Sequence, residues 1–565
     1  MQGVGQTAAV KGSAGESAES RRDPGRTLEA SRVRADRRAG GIFYTPADIA
    51  QGLVAITIRG RGWRPPRQPT VCDPTCGAGA FLVAAADRLE ALGHPPDRVV
   101  EDLIWGADVD ADAIDVARLV LREWAAARGV VAEAGHLVVA DTLVAGSGAW
   151  PDAPPAGFDV VVGNPPFQSQ LATGTARSTT RTAIVRRQLG PLAAVYADSA
   201  ALFLVVASRL AAPGGRVAMI VPESVLASRD AGPARAELLA TTTVVGLWWA
   251  GEPVFDAGVQ VCAPVFAVGE RRDRPVRRWR GRRFATAATA PHPERETDAG
   301  GGPWSPMLAT LRGTPVVNFT RPSRGARRSQ AAQADLATLA SATAGFRDQY
   351  YGLVPHVVEQ AAAGSPIRLI TAGLIDPLHC RWASAPTRFA RQAWQAPVVD
   401  LAGLRLADPR LAGWADARLV PKVIVATQTR LLETVVDVDG SWWPSVPTIS
   451  VVPRSGDPDE LWRIAAVLSA PPVSAWALER FGGSALSSDA LKLSSGQVLL
   501  VPLPHDDGAW ADGAGAAAAA QHASAAGDAD GWREALVVGS DAMTRAYGAS
   551  NDVRQWWLAR LPIWR

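Results

Sequence analysis

The sequence predicts an α/β protein that begins with a Rossmann-like, doubly wound domain and continues into a carboxyl-terminal α+β region. Short apolar runs alternate with amphipathic segments from about residue 41 to about residue 270, which is the pattern of a parallel sheet with helices on both faces. A glycine-rich turn follows the first of these runs, at the place where such sheets bind nucleotide-like ligands.

Seven apolar runs are predicted to be strands because they are rich in β-branched or aromatic residues and end at turn-forming residues. They are residues 70–72, 104–109, 137–139, 158–162, 217–221, 243–249 and 261–268. A helix is expected over residues 80–92, between the first two strands. Strand-like runs return at residues 423–426, 433–437 and 448–452 in the second ordered region.

A chain of 565 residues with 47% hydrophobic content is long enough for two or three domains. The expected plan is a disordered tail (1–40), a ligand-binding domain (41–270), a basic linker region (271–345), a second ordered domain (346–505), and a flexible insertion with a last helix (506–565). No apolar run has the length of a membrane span and no secretory signal is apparent. A cytoplasmic protein without a membrane partner is therefore expected.

Cysteine content and net charge bear on whether the protein has disulfides, a zinc site or a nucleic-acid partner. Four cysteines in so long a chain indicate reduced thiols, and Cys72 with Cys76 lacks a second pair that would complete a zinc site. The net charge of +3 is too small to indicate a nucleic-acid partner by itself. The basic stretch over residues 271–283 fits either a segment beside a phosphate backbone or a solvated linker or edge strand.

The run from Asn164 to Phe167, with sequence Asn-Pro-Pro-Phe, follows the strand expected at residues 158–162 and has a pattern suited to amine chemistry. The amide oxygen of Asn164 and the carbonyl of Pro165 can accept both N–H bonds of one amino group and thereby localise its lone pair. Pro165 and Pro166 carry no N–H donors. Phe167 offers a flat apolar face for an extruded base.

Upstream acids and glycines complete a ligand site at the expected strand ends. Gly77 and Gly79 let the backbone approach a ligand, but the dinucleotide pattern lacks its third glycine. Asp108 ends the second strand, where a carboxylate can hold ribose hydroxyls. Asp141 follows the third strand and could accept from a purine amino group. The order of these features predicts a cofactor that contains adenosine beside an amine-alkylating turn.

With these motifs the chain resembles the gamma-class (TaqI-like) adenine-specific DNA methyltransferases, which use S-adenosylmethionine. The segment from Gly41 to Pro46 is similar to the family's amino-terminal cofactor motif. The resemblance implies Asn164, Pro165, Pro166 and Phe167 as catalytic residues, and Phe167 and Phe255 as base-stacking residues. The implied cofactor-binding residues are Tyr44, Thr45, Asp73, Thr75, Gly77, Gly79, Phe81, Asp108, Val109 and Asp141.

The resemblance implies site-specific N6 methylation of adenine in double-stranded DNA, within a restriction-modification or phage-defence system whose nuclease or other subunits are separate chains. Residues 346–505 would then recognise the target sequence. Phe167 departs from the family, in which tyrosine is commoner, so stacking must suffice there. Methylation of a protein glutamine or of RNA stays open as an alternative, as does a catalytically idle DNA-binding specificity subunit. The long region after Val268 favours a large polymeric substrate.

Overall fold

The computed structural model describes residues 45–58, 68–167, 179–192, 198–255, 259–269, 275–293, 304–317, 319, 334–344, 351–359, 367–482 and 490–564. The chain divides into two compact units. The first comprises Met1–Val225 and Arg229–Gly301, and the second comprises Leu226–Ser228 and Gly302–Arg565. The predicted tail, residues 1–40, lies outside the described residues.

A ten-stranded mixed sheet forms the centre of the first unit, in the order β10-β9-β7-β8-β5-β4-β1-β2-β3, with β6 paired to β8. Its strands are β1 (Val71–Asp73), β2 (Ile104–Asp108), β3 (Leu137–Val139), β4 (Phe158–Gly163), β5 (Ala211–Met219), β6 (Val221–Pro222), β7 (Thr242–Trp249), β8 (Val261–Val268), β9 (Val276–Arg280) and β10 (Ala285–Ala290). Strands β3, β2, β1, β4 and β5 are mutually parallel. The predicted α/β class is confirmed.

Helices connect these strands, and the longer ones place apolar residues in the core. They are α1 (Ala47–Ile58), α2 (Ala80–Glu90), α3 (Pro96–Arg98), α4 (Ala111–Ala126), α5 (Thr142–Ala145), α6 (Thr179–Leu189), α7 (Ser199–Leu210), α8 (Ser224–Ala227) and α9 (Gly232–Thr241). Ile49 and Leu53 of α1 share one core cluster with Phe81 and Leu82 of α2. Helix α1 is therefore fixed against the sheet region that carries the glycine-rich turn.

Residues 276–290 form the hairpin of β9 and β10 at one edge of the sheet. The basic linker region expected over residues 271–345 is therefore wrong for these residues, whereas the edge strand left open for residues 271–283 agrees with the structure. β9 pairs in parallel with β7, and β10 pairs antiparallel with β9. Arg278 is 4% exposed and its guanidinium donates to the carbonyls of Ala288 and Thr289. An arginine satisfied in this way can occupy a buried strand position, which the composition of the segment did not indicate.

The turn of this hairpin is fastened to the strand beside it. Gly281 donates its N–H to the carbonyl of Trp249 at 2.9 Å, and its own carbonyl accepts from the indole of Trp248 at 3.0 Å. The ring of Phe284 stacks on Trp248, with 5.3 Å between centroids. Gly52 of α1 lies against the same ring, since a Cβ built there would lie 1.9 Å from it. The hairpin is thus packed against α1.

Two four-stranded sheets and two ribbons lie in the second unit. The sheets run in the orders β11-β22-β19-β20 and β12-β18-β13-β21, and the ribbons are β14-β15 and β16-β17. The strands are β11 (Ala340–Ala344), β12 (Val357–Glu359), β13 (Ile367–Ile370), β14 (Ile375–Asp376), β15 (His379–Cys380), β16 (Thr387–Phe389), β17 (Gln392–Trp394), β18 (Pro397–Val399), β19 (Lys422–Val425), β20 (Thr434–Asp437), β21 (Trp442–Pro444) and β22 (Ile449–Pro453).

Helices follow and flank these sheets. They are α10 (Pro306–Ala309), α11 (Leu401–Ala407), α12 (Pro409–Asp416), α13 (Pro458–Leu468), α14 (Pro471–Phe481), α15 (Ser495–Leu499), α16 (Asp507–Ala525), α17 (Ala529–Ala546) and α18 (Asn551–Leu558). A buried ion pair joins Lys422 and Asp437 at 2.6 Å, and Asp437 also accepts from the backbone N–H groups of Ser441 and Trp442. These additional bonds compensate the cost of removing the carboxylate from water.

The expected flexible insertion after residue 506 is wrong. Asp506 caps α16 by accepting from the N–H of Ala509 at 3.0 Å, and the alanine run continues as helix because alanine has the highest helix propensity. Close approach to α17 follows from small side chains, since a Cβ at Gly539 would lie 3.2 Å from that of Ala516. The second unit also continues through residue 565, so residue 506 does not begin a separate domain.

Within the described residues, no single helix has both the length and the apolar composition needed to cross a membrane. One bent pair, Pro458–Leu468 with Pro471–Phe481, reaches that criterion only when its two helices are taken together.

The contact between Gly52 and Phe284 yields a stability prediction. Gly52→Ala should lower the free energy of unfolding of the first unit by about 1–3 kcal/mol, because the added methyl group displaces a ring held by Trp248. Urea unfolding followed by tryptophan fluorescence measures the change. Gly413→Ala in α12 is the control, since no atom lies within 4 Å of its added Cβ. Equal stability of Gly52→Ala and wild type would contradict this packing.

Candidate active site

The ends of β1 and β4 form the centre of the candidate site. These parallel neighbours lie where the strand order reverses, and a crevice forms at such a point outside the carboxyl ends of the strands. β1 ends at Asp73, and Asn164 follows the last residue of β4, Gly163. A Cβ built on Gly163 would lie 2.4 Å from Asp73 Oδ1. The structure therefore brings the predicted catalytic turn and the glycine-rich turn to one place.

The side chain of Asn164 is held by the first residue that the structure describes. Its Nδ2 donates to Thr45 Oγ1 at 3.0 Å, and Thr45 is buried. Thr45 lies just before α1, which is fixed in the core by Ile49 and Leu53. This bond engages the nitrogen of the amide, so the orientation of the acceptor oxygen Oδ1 is set as well.

The backbone carbonyls near the predicted catalytic turn differ in whether another group donates a hydrogen bond to them. The carbonyl of Gly163 accepts from the N–H of Ile220 at 2.9 Å, and that of Pro166 accepts from Ser199 Oγ at 2.5 Å. No hydrogen bond among the described residues engages the carbonyl of Pro165, which lies between them. Ser199 was not predicted to be part of this arrangement. Its position as the first residue of α7, after the capping Asp198, was the available signal.

Two aromatic rings meet beside the turn. The centroids of Phe167 and Phe255 are 6.0 Å apart and the rings are inclined by 67°. Phe255 is buried at 7% exposure, whereas Phe167 is half-buried. The two residues named as base-stacking candidates thus lie together, with the face of one ring approached by the edge of the other. Such a pair can present one flat apolar wall and one aromatic edge to a planar ligand.

The glycine-rich turn is fastened to the end of β2. Gly77 and Gly79 have φ angles of 50° and 90°, which favour glycine. Asp108 accepts from the N–H groups of Gly77 at 2.9 Å and Asp110 at 3.0 Å. Thr75 donates its backbone N–H to Asp73 Oδ1 at 2.9 Å. These predicted residues therefore form one connected group at adjacent strand ends.

Asp141 lies at the third strand end and caps a short helix. Its Oδ1 accepts from the N–H of Leu143 at 3.2 Å. The next residue, Thr142, is buried and donates from Oγ1 to the carbonyl of Pro74 at 2.9 Å. Thr142 was not singled out in the sequence, yet it ties the loop after β3 to the glycine-rich turn.

The remaining predicted residues occupy different environments. Phe81 is 2% exposed and lies in the hydrophobic core at the start of α2. Val109 follows β2 and is 65% exposed. Tyr44 lies outside the described residues. Phe81 can therefore support the glycine-rich turn from the core side, and Val109 has a side chain accessible to a ligand.

The electrostatics of the site favour a positively charged ligand. The pKa of Asp73 is raised from 3.8 to about 8. Burial is the largest cause and the nearby charge of Asp108 adds to it, while the hydrogen bonds from Thr75 lower the pKa. A cation placed between the two carboxylates would offset both causes and favour the ionised forms. An ammonium or sulfonium group has the required charge.

The first part of the chain is similar to a known family. Residues 31–274 match the family model described as N-6 DNA Methylase. This segment is thus similar to N-6 DNA methylase domains. The candidate site from Thr45 to Phe255 lies wholly inside the matched residues.

One relative in sequence and one solved structure are also similar to this chain. The Type II methyltransferase M.VspI from Vibrio sp. (strain 343) is 34% identical over 83 residues, which are 15% of this chain and 17% of that relative's length. The structure of the Type IIL restriction-modification enzyme MmeI in complex with DNA matches 95% of this chain and 81% of that chain, with a TM-score of 0.57 and 13% sequence identity. At this identity the structural match concerns the fold, which is the Rossmann-like fold of these methyltransferases.

The raised pKa of Asp73 predicts how stability depends on pH. The unfolded carboxyl ionises near pH 3.8, whereas the folded one keeps its proton until about pH 8. The stability due to the bound proton is fully present below the unfolded pKa and is lost as pH rises through the folded pKa. The free energy of unfolding should therefore fall from pH 5 to pH 8.5, and it should fall less in Asp73→Asn. Urea titrations of both proteins at several pH values measure this; parallel curves would contradict it.

Proposed function

We propose that this chain is a site-specific DNA methyltransferase that transfers the methyl group of S-adenosylmethionine to N6 of an adenine extruded from double-stranded DNA. The observation that carries the proposal is the placement of Asn164, held by Thr45, beside Asp73 at the point where the strand order reverses. The N-6 DNA methylase domain supports adenine as the target. A role in a restriction-modification or phage-defence system agrees with the named relatives.

The residues at the strand ends fit S-adenosylmethionine. The added Cβ at Gly77 meets no atom within 4 Å, so the backbone there is open to a ligand. Asp73 and Asp108 supply the negative charge that a cationic amino acid moiety requires, and Asp108 and Asp141 lie at successive strand ends suited to ribose and adenine. When bound, the cofactor supplies an electrophilic methyl group on a sulfonium leaving group.

The turn after β4 provides the groups that act on the amine. Asn164 Oδ1 and the carbonyl of Pro165 accept the two N–H bonds of the adenine amino group, so its lone pair is localised and directed outward. The two prolines present no competing N–H donor. Phe167 and Phe255 hold the base by contact with its flat surface. Positioning and lone-pair localisation thus provide the catalysis, and the proton leaves to water after transfer.

Asn164→Ala should lower methyl transfer by about 10²–10³-fold or more, the usual effect of removing a preorganised hydrogen-bonding group at a reacting centre. Incorporation of labelled methyl groups into duplex DNA, followed by mass spectrometry of the nucleosides, measures rate and product. Cofactor affinity, measured by calorimetry, should change little. Asn551→Ala, at an exposed position in the second unit, is the control and should behave as wild type.

Several results would contradict this proposal. Methyl transfer by the wild type to RNA or to a protein glutamine, with none to DNA, would identify one of the alternative substrates. Cofactor binding without transfer to any DNA would indicate an idle specificity subunit. Near-normal turnover by Asn164→Ala would remove the catalytic assignment while leaving the substrate class intact.

Thr45 is expected to act as a positioning residue through its bond to Asn164. Thr45→Val removes the acceptor at nearly constant shape and should lower kcat about tenfold, because the amide loses its fixed orientation. Thr45→Ser keeps the hydroxyl and should restore most of the activity. Cofactor affinity decides between roles: an unchanged Kd supports positioning, whereas a large increase in Kd would show that Thr45 acts mainly on the cofactor.

A further inference from the structure

Exposed arginines cluster at the turn of the β9–β10 hairpin, on the same edge of the sheet as the candidate active site. β9 is parallel to β7. β8 lies between β7 and β5 and is antiparallel to both, so β7 and β5 run in the same direction. β5 is parallel to β4. The carboxyl ends of β9 and β4 therefore point to one edge. Arg280 ends β9, and Arg282 and Arg283 lie in the turn that follows; all three are exposed. We call these three residues the arginine turn.

The arginine turn contacts elements that carry the candidate active site. Arg282 forms an ion pair with Asp48 of α1 at 3.1 Å, three residues after the Thr45 that holds Asn164. The guanidinium of Arg280 lies over the ring of Trp249, 5.2 Å from its centroid, and the side chain approaches Gly251. The loop that begins at Gly251 continues to Phe255, which contacts Phe167.

Charge is distributed unequally along this edge of the sheet. Asp73 and Asp108 end β1 and β2, and Asp141 follows β3, where the cofactor is proposed to bind. The turn after β4 lies between these carboxylates and the arginines, and the two carboxylates beside the arginines, Asp48 and Glu252, pair with Arg282. Within the described residues Arg280 and Arg283 form no ion pair. A polyanion would be repelled by the acidic end of the edge and attracted by the arginine turn. Guanidinium groups suit phosphate oxygens in particular.

We propose that Arg280 and Arg283 bind the sugar-phosphate backbone of the substrate DNA, with Arg282 holding the turn in place through Asp48. The inference rests on the proposed function and adds a substrate-binding surface to it. Four strand spacings separate β4 from β9, about 19 Å at ~4.8 Å each. The contacted phosphates therefore lie a few nucleotides from the extruded adenine. Such contacts fix the register of the duplex and carry no sequence preference.

Salt dependence of DNA binding by the full chain tests the proposal. Fluorescence anisotropy with a labelled duplex, from 50 to 300 mM salt, gives the slope of log K against log salt. In the double variant Arg280→Gln/Arg283→Gln this slope should fall in magnitude by about 2, because each phosphate contact contributes ~0.9. Affinity at low salt should fall about tenfold or more. Arg280→Lys/Arg283→Lys keeps both charges and should retain the slope.

Arg209→Gln is the control for loss of an exposed arginine on another part of the first unit. Arg209 is exposed and pairs with Glu237 at 3.1 Å, at the end of α7 that leads into the amino end of β5, on the opposite edge of the sheet. The control should keep the wild-type slope. A loss of slope equal to that of the double variant would overturn the proposal, as would an unchanged slope in the double variant. Cofactor affinity and thermal unfolding of every variant should match wild type.

Failure of this proposal can be distinguished from failure of the proposed function. Methylation of duplex DNA by wild type, together with wild-type binding by the double variant, overturns the arginine turn alone. Absence of both binding to and methylation of duplex DNA by wild type overturns both proposals. Preferential binding of a matched RNA duplex, with the same sensitivity to the arginines, would replace DNA by RNA as the partner and overturn the inference as stated.

Discussion

The close approach of β1 and β4 is the constraint on which the candidate site depends. Gly163 lacks a side chain at the position where any Cβ would overlap the carboxylate of Asp73, so the two strand ends can lie side by side. In a doubly wound sheet, connections on the two sides of a switch point leave toward opposite faces and open a crevice. One crevice wall then carries the glycine-rich turn and the other carries Asn164. A larger residue at position 163 would separate the groups that the proposed chemistry requires to be adjacent.

Much of this arrangement could be predicted because it is encoded locally. The strands around Asp73, Asp108 and Asn164 are short apolar runs that end at polar residues, and the confirmed α/β class places such ends at one edge. The contact of Thr45 with Asn164 spans 119 residues, and that of Ser199 with Pro166 spans 33. Such long-range bonds leave no periodic pattern in the sequence. The roles of the site residues themselves stay predictions until variants are measured.

The two wrong expectations have a common origin, since both took composition as a measure of order. In the domain plan, the arginine-rich sequence around Arg278 was assigned to a linker region, although an edge strand was left open, but buried arginine is tolerated where backbone carbonyls accept from its guanidinium. Alanine-rich sequence around Ala516 suggested a flexible insertion, whereas alanine favours helix and allows α16 to approach α17 closely at Gly539. Each segment is stabilised by contacts with a neighbouring element, β10 for Arg278 and α17 for Ala516, and composition alone does not reveal such contacts.

A neutral amide is the group that suits the position after β4. Asp73 is already disfavoured as a charged group by its burial, and Asp108 adds a second negative charge nearby. A carboxylate at position 164 would add another negative charge beside Asp108, and it would be protonated or would weaken the site. The amide of Asn164 accepts a hydrogen bond with one atom while donating to Thr45 with the other, so it needs no counterion. The chemistry proposed for the turn requires acceptance without proton removal, and the surrounding charges favour the same property.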